Sequence, residues 1–246
     1  MSQVLLNQLI FYFMQHDNLR DNGTVWTSFP PEASEGFLEQ AEYGREHPSR
    51  KAVETFLKRV SGAAEAKPKR GRTKKTETEN EAPVSPSRLT LLDIPCGSGV
   101  EKPMLSGICD YVGMDKTVNL VEAIQRKFPG VDARLGDIRA IPCEDNSFDV
   151  VYARAIFEHL CDMKDVEIAM KECLRVAKKY AIFSFYLPLV DQTQIKWNGA
   201  YFENVYSEKE VVDVVERLGA SKVEREFVDV SGTPFVDSYH IFYLTK

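Results

Sequence analysis

The sequence predicts an α/β protein built on a doubly wound, mainly parallel sheet, and three observations lead there. Thr90 to Ile94 is a short apolar, partly β-branched run of the kind that fills a sheet covered on both faces, and it breaks directly into a glycine turn, Pro95-Cys96-Gly97-Ser98-Gly99. Two further short runs, Asp110 to Asp115 and Val131 to Gly136, also read as strands, and Asp93, Asp115 and Asp137 follow one another at intervals of 22 residues. Each acid therefore falls at or just beyond the carboxyl end of a strand, where open α/β sheets bind ligands.

The elements follow in order. Residues 3 to 15, Ser34 to Tyr43 and Pro48 to Val60 place apolar side chains at helical spacing, so residues 1–61 are expected to form a helical cap, with Trp26 in its core. Residues 62–88 change character: Pro68, Pro83 and Pro86, no aromatic, and the basic run Lys67 to Lys75. Such a stretch buries too little to offset its ordering entropy and reads as a flexible charged linker or insertion. Residues 89–246 form the sheet domain. After the first three strands, Phe148 to Ala153 is the fourth, Val166 to Val176 an amphipathic helix, and Tyr180 to Tyr186 the fifth strand. Glu208 to Leu218 is a further helix, and Val223 to Val230 with Tyr239 to Leu244 reads as an antiparallel hairpin.

Composition narrows the partners. A net charge of −6 argues against a general polyanion-binding surface, so nucleic acid is not the expected partner. Five cysteines without C-x-x-C or Cys/His spacing suggest a reducing cytoplasm and no structural zinc. The longest apolar run, Tyr180 to Val190, is too short for a bilayer and contains Pro188, so no membrane span is expected. The composition leaves the oligomeric state open.

Leu-Asp-Ile-Pro-Cys-Gly-Ser-Gly at 92–99, Val-Gly-Met-Asp at 112–115, Gly-Asp-Ile at 136–138, Asn146 to Val151 and Glu158-His159-Leu160 resemble, in order and spacing, the successive motifs of class I S-adenosylmethionine-dependent methyltransferases. The resemblance covers roughly residues 88–246 and looks closest to the small-molecule group that includes quinone and glycan O-methyltransferases. Pro95 departs from it, standing where the family more often has the first glycine. The resemblance implies a Rossmann-like seven-stranded sheet of order 3-2-1-4-5-7-6 with strand 7 antiparallel, and S-adenosyl-L-methionine as cofactor. It further implies that Asp93 supports the turn and faces the donor's ammonium end, that Gly97 and Gly99 admit its backbone, that Asp115 accepts from the ribose hydroxyls, and that Asp137 with Ile138 clasps the adenine. Pro95, Cys96, Lys116, Gly136 and Arg154 complete the expected cofactor site.

For catalysis the expected residues are His159, as a base towards an acceptor hydroxyl, and Tyr186. The metal-binding members of the group use Glu-x-x-Glu-His, but Ala155 stands where the first Glu would be, so no metal is expected. The acceptor, a small molecule methylated at O or N, is expected between the cap and the segment after strand five: Leu187 to Asp191, Trp197, Tyr201, Asn204 and Tyr206. A macromolecular acceptor and a non-catalytic nucleotide-binding scaffold are the alternatives. A nicotinamide oxidoreductase is disfavoured because G-x-G-x-x-G is absent.

Overall fold

The computed structural model describes residues 47–62, 88–197, 202–231 and 238–246. The expected helices at 3–15 and 34–43, Trp26, Tyr201 and the basic run at 67–75 lie outside them. A helix α1, Pro48–Val60, comes first, then β1 (Thr90–Asp93), α2 (Lys102–Leu105), β2 (Asp110–Asp115), α3 (Val118–Lys127), β3 (Asp132–Leu135) and β4 (Phe148–Arg154). A 3-10 turn, Phe157–His159, leads to α4 (Met163–Val176), β5 (Ala177–Phe185), α5 (Glu208–Arg217), β6 (Lys222–Asp229) and β7 (Ser238–Thr245). The strands form one sheet in the order β3-β2-β1-β4-β5-β7-β6, as the resemblance implies. Strands β1 to β5 pair in parallel, and β7 runs antiparallel to both β5 and β6.

Strand alternation divides the core between the two faces. Leu92, Val151, Ala181, Phe183 and Phe185 point into one cluster, which α4 and α5 cover with Val166, Met170, Cys173, Val211 and Val214. Leu91, Val150, Tyr152 and Ile182, their neighbours in the chain, point into the opposite cluster, which α1 covers with Val53, Phe56 and Leu57. Each such fully buried side chain contributes on the order of 1.5–3 kcal/mol. Phe56 stacks on Tyr243 of β7 at 4.3 Å between ring centroids and meets Tyr180 edge-on at 5.6 Å.

The helix starts explain their positions. His47 is the N-cap of α1, its ring accepting from the Ser49 amide, and Pro48 occupies the first turn, where its missing N–H costs nothing. Asp162 caps α4 by accepting from the Asp165 amide at 2.9 Å. The edge strand β6 is largely exposed and carries Lys222, Glu224, Arg225 and Glu226, charges that discourage edge-to-edge pairing. Among the described residues, no helix is long and apolar enough to cross a membrane.

Candidate active site

The loop after β1, the ends of β2 and β3, and the turn after β4 meet along the carboxyl edge of the parallel sheet. Asp93 ends β1 with no exposure, and its Oδ2 accepts from the Tyr111 hydroxyl at 2.9 Å. Burial, and then the charge of Glu101, push its carboxyl well above the usual range. The chain turns through a cis Ile94–Pro95 bond. Cys96, 4% exposed, donates its amide to the Met114 carbonyl at 2.8 Å, which ties the turn to β2.

The two turn glycines have different reasons. At Gly97, with φ +52, a Cβ would meet nothing within 4 Å, so this position opens outward as a ligand-approach site needs. At Gly99, with φ +81, a Cβ would lie 2.7 Å from Ile124 Cγ1 and 3.1 Å from Phe128. Its structural reason is thus the packing of α3 against the turn, in addition to the admission of a ligand expected from sequence. Gly136 is likewise a packing position, crowded by Met114 and by Pro142.

Asp115 closes β2, 4% exposed, and holds the turn with both oxygens: Oδ2 accepts from the Gly97 amide at 3.0 Å and Oδ1 from the Thr117 amide at 2.8 Å. Burial raises its pKa, against which the two amides work. Lys116 beside it is half-buried, and burial lowers its pKa while Asp137 opposes the shift. Asp137 is gripped by Arg139, which donates from Nη2 at 2.8 Å, from Nε at 3.1 Å and from its own amide at 2.9 Å, and which also pairs with Asp165 at 3.0 Å. The Ile138 side chain lies in the core with Met114 and Ile141.

Arg154 enters a buried ion cluster that local sequence patterns did not reveal. Its Nη1 donates to Glu101 Oε1 at 2.8 Å and its Nη2 to the Tyr239 hydroxyl at 2.8 Å, while Arg50 Nε reaches the same Glu101 oxygen at 2.9 Å. His47 stands edge-on to Tyr239, its pKa lowered to about 4 by burial and then by Arg154 and Arg50. The cluster joins α1, the turn, β4 and β7. Arg50 shares the helical face of Val53 and Leu57, a charge within an apolar stripe and the one local signal that could have marked it.

The turn after β4 brings the two expected catalytic residues together. His159 Nδ1 lies 2.7 Å from the Phe202 carbonyl, an acceptor, so Nδ1 carries the hydrogen and Nε2 presents its lone pair. The Tyr186 hydroxyl is 3.4 Å from that Nε2. Burial lowers the His159 pKa, which favours the neutral ring. Glu158, 1% exposed, accepts on Oε1 from the Tyr186 amide at 2.6 Å and the Leu187 amide at 3.3 Å. Among the described residues, no group of three or more His, Cys, Asp or Glu side chains could hold a metal ion.

The expected acceptor wall is corrected in part. Asn204 has no exposure: its amide nitrogen donates to the Leu160 carbonyl at 2.6 Å and to Tyr206 at 3.1 Å, and its Oδ1 accepts from the Lys196 amide at 2.8 Å. The Tyr206 hydroxyl donates to the Phe157 carbonyl at 3.0 Å. With their polar atoms spent on the chain itself, both pin the 190–207 segment onto the 3-10 turn and do not line a pocket. Trp197, 38% exposed, and Phe202, its partner across an isolated bridge, remain on the outside.

Glu158 gives the site a pH signature. Burial raises its pKa to about 7 from an ordinary 4.5, so between those values the folded chain binds more protons than the unfolded one. Its contribution therefore falls as pH rises through that window, by up to about 3 kcal/mol. Melting temperatures from pH 4.5 to 8 are expected to decline more steeply in the wild type than in Glu158→Gln. Parallel curves would show that Glu158 titrates normally.

Known proteins resemble this chain in sequence and in fold. Residues 92–185 match a family model described as "Methyltransferase domain". An uncharacterized methyltransferase of Schizosaccharomyces pombe is 35% identical over 91 residues, 36% of this chain and 35% of that protein. A demethylmenaquinone methyltransferase of Renibacterium salmoninarum is 33% identical over 89 residues, 36% of each chain. The chain thus spans about a third of the length of these relatives. The solved magnesium protoporphyrin IX methyltransferase of Synechocystis, with bound S-adenosylmethionine, superposes with a TM-score of 0.54 at 13% identity, covering 98% of this chain and 97% of that one, a likeness of fold.

Proposed function

We propose that this chain is a class I S-adenosylmethionine-dependent methyltransferase, a reading its family match and sheet order support, and that it moves a methyl group to an oxygen or nitrogen atom of a small-molecule acceptor. When bound, the cofactor supplies a methyl group on a sulfonium centre, which an acceptor lone pair displaces in line. The residues present fit it. Gly97 opens outward at the turn, and Asp93 Oδ1, Ser98 Oγ, Glu101 Oε2 and Arg154 Nε are buried polar atoms without a partner among the described residues. Buried polar groups are normally paired, so four orphans around one glycine turn point to a polar ligand. Asp93, Gly97 and Asp115 would hold it.

What the chain adds is alignment and proton handling. Positioning two reactants can supply on the order of 7–11 kcal/mol of a barrier, so a conspicuous catalytic triad is not required. The observation that carries the acceptor reading is the His159–Tyr186 pair: a neutral imidazole, its tautomer fixed by the Phe202 carbonyl, facing a hydroxyl at the end of β5. Nε2 can take the proton that an acceptor hydroxyl or amine sheds, directly or through Tyr186. The exposed Trp197 offers an apolar surface to a ring-bearing acceptor.

Incubation with isotopically methyl-labelled cofactor and fractionated metabolites, read by mass spectrometry, identifies the acceptor. With it in hand, His159→Gln is expected to lose about 100- to 10,000-fold in kcat/KM, the usual share of general base catalysis, with cofactor affinity intact. Tyr186→Phe should lose less. Wild-type turnover in both would place the acceptor elsewhere, and label appearing only in protein or RNA would overturn the small-molecule reading.

A further inference from the structure

We propose that Glu101 is a specificity-determining contact for the ammonium group at the amino-acid end of the cofactor, and that Arg50 of α1 is the residue that positions it. The proposal rests on S-adenosylmethionine being the cofactor, and it goes beyond the Asp93 contact that the family resemblance implies.

The bonding around Glu101 is lopsided. The residue is 5% exposed, yet Arg50 Nε and Arg154 Nη1 both converge on Oε1, at 2.9 and 2.8 Å, and Oε2 has no partner among the described residues. A purely structural Arg–carboxylate pair tends to match two N–H groups to two oxygens. Here the two guanidinium groups crowd onto one oxygen and leave the other facing no donor, which in a buried site costs on the order of 1–3 kcal/mol. Asp93, with no exposure, is in the same condition at Oδ1, and it lies near enough to Glu101 for that charge to stand second only to burial in raising its pKa. Within the same cluster Arg154 has the opposite deficit, an Nε hydrogen without an acceptor among the described residues.

Two unpartnered carboxylate oxygens and one unpartnered guanidinium N–H complement an α-amino acid. An ammonium brings three donors for Oε2 and Oδ1, and the adjacent carboxylate offers an acceptor for Nε. A phosphate would meet two carboxylates, and a simple cation would leave Nε unsatisfied. Arg50 matters because it reaches Glu101 from α1. Its guanidinium is 7% exposed and sits on the face by which α1 is buried, so docking of α1 fixes which Glu101 oxygen is taken and which is left.

Calorimetry on the full chain tests this with three probes: S-adenosylhomocysteine, its analogue lacking the α-amino group, and 5′-methylthioadenosine, which lacks the whole amino-acid end. Wild-type protein is expected to bind S-adenosylhomocysteine at least about 10-fold more tightly than the deaminated analogue. Glu101→Gln should lower S-adenosylhomocysteine affinity about 10- to 150-fold, the range for hydrogen bonds to charged groups, and leave 5′-methylthioadenosine unchanged. Arg50→Met should shift the same ratio in the same direction, with Arg50→Lys partly restoring it. Equal wild-type affinity for S-adenosylhomocysteine and its deaminated analogue overturns the proposal, as does a Glu101→Gln variant that weakens S-adenosylhomocysteine and 5′-methylthioadenosine in equal proportion. Failure of the wild type to bind any of the three overturns the cofactor reading, and this inference with it.

Discussion

Asp115→Ala is expected to weaken S-adenosylmethionine binding by about 10- to 150-fold, the loss that follows when hydrogen bonds to a charged group worth about 1.5–3 kcal/mol are removed. Two causes act together. The variant loses the acceptor we propose for the ribose hydroxyls, and it also releases the Gly97 and Thr117 amides that the two carboxylate oxygens hold at 3.0 and 2.8 Å. The second loss acts without ligand, so the melting temperature should fall as well, by about 2–4 °C per kcal/mol in a chain of this size. Asp115→Asn keeps one accepting oxygen and loses the other, because its amide nitrogen cannot accept a main-chain N–H, so its melting temperature should fall less than that of Asp115→Ala. Titration calorimetry with circular dichroism on both variants decides; an unchanged dissociation constant in folded Asp115→Ala would remove the ribose assignment.

Arg154→Met is expected to cost about 3–5 kcal/mol of folding stability, the range found when one member of a buried ion pair is deleted and its partner is left in place. The side chain lies within a cluster where Glu101 is 5% exposed and Asp93 not at all, so losing one cation leaves two buried carboxylates with Arg50 alone. The loss also frees the Tyr239 hydroxyl and removes the guanidinium that lies over its ring at 5.0 Å. Denaturant unfolding checks it. A change below about 1 kcal/mol would mean that Arg50 and protonation of Asp93 absorb the charge between them.

Much of this arrangement was legible locally. Asp110–Asp115 and Pro48–Val60 are bounded in the structure as the sequence reading placed them, because the first is a short run between polar breaks and the second opens on a proline. Asp93 and Asp115 close β1 and β2 as their spacing suggested, whereas β3 ends at Leu135, two residues before Asp137. What local reading missed depends on distance along the chain. Arg50 meets Glu101 across 51 residues and Arg154 meets Tyr239 across 85, separations at which no periodicity speaks. Gly99 drew its expected role from the turn alone, whereas the atoms that forbid a Cβ there belong to Ile124 and Phe128. Tyr206 and Asn204 look like pocket residues in a list, and only the Phe157 and Leu160 carbonyls reveal them as struts.

The place of β7 between β5 and β6 bears on the order of events during synthesis at the ribosome. Phe56 of α1 stacks on Tyr243, and the Arg50–Glu101–Arg154 cluster reaches its outer partner only in Tyr239, so the cap helix is made long before the strand it rests on. At roughly 5–20 residues per second, the interval between Phe56 and Tyr243 leaving the peptidyl-transferase centre is about 10–40 s. Throughout it the apolar face of α1 has no finished surface to dock against, and β5, once made, presents an unpaired edge until β7 follows. The half of the sheet from β3 to β4 can form while translation continues, since its pairings are already complete. The half that latches α1 closes after β7 emerges, and that interval is when a nascent-chain chaperone has most to shield.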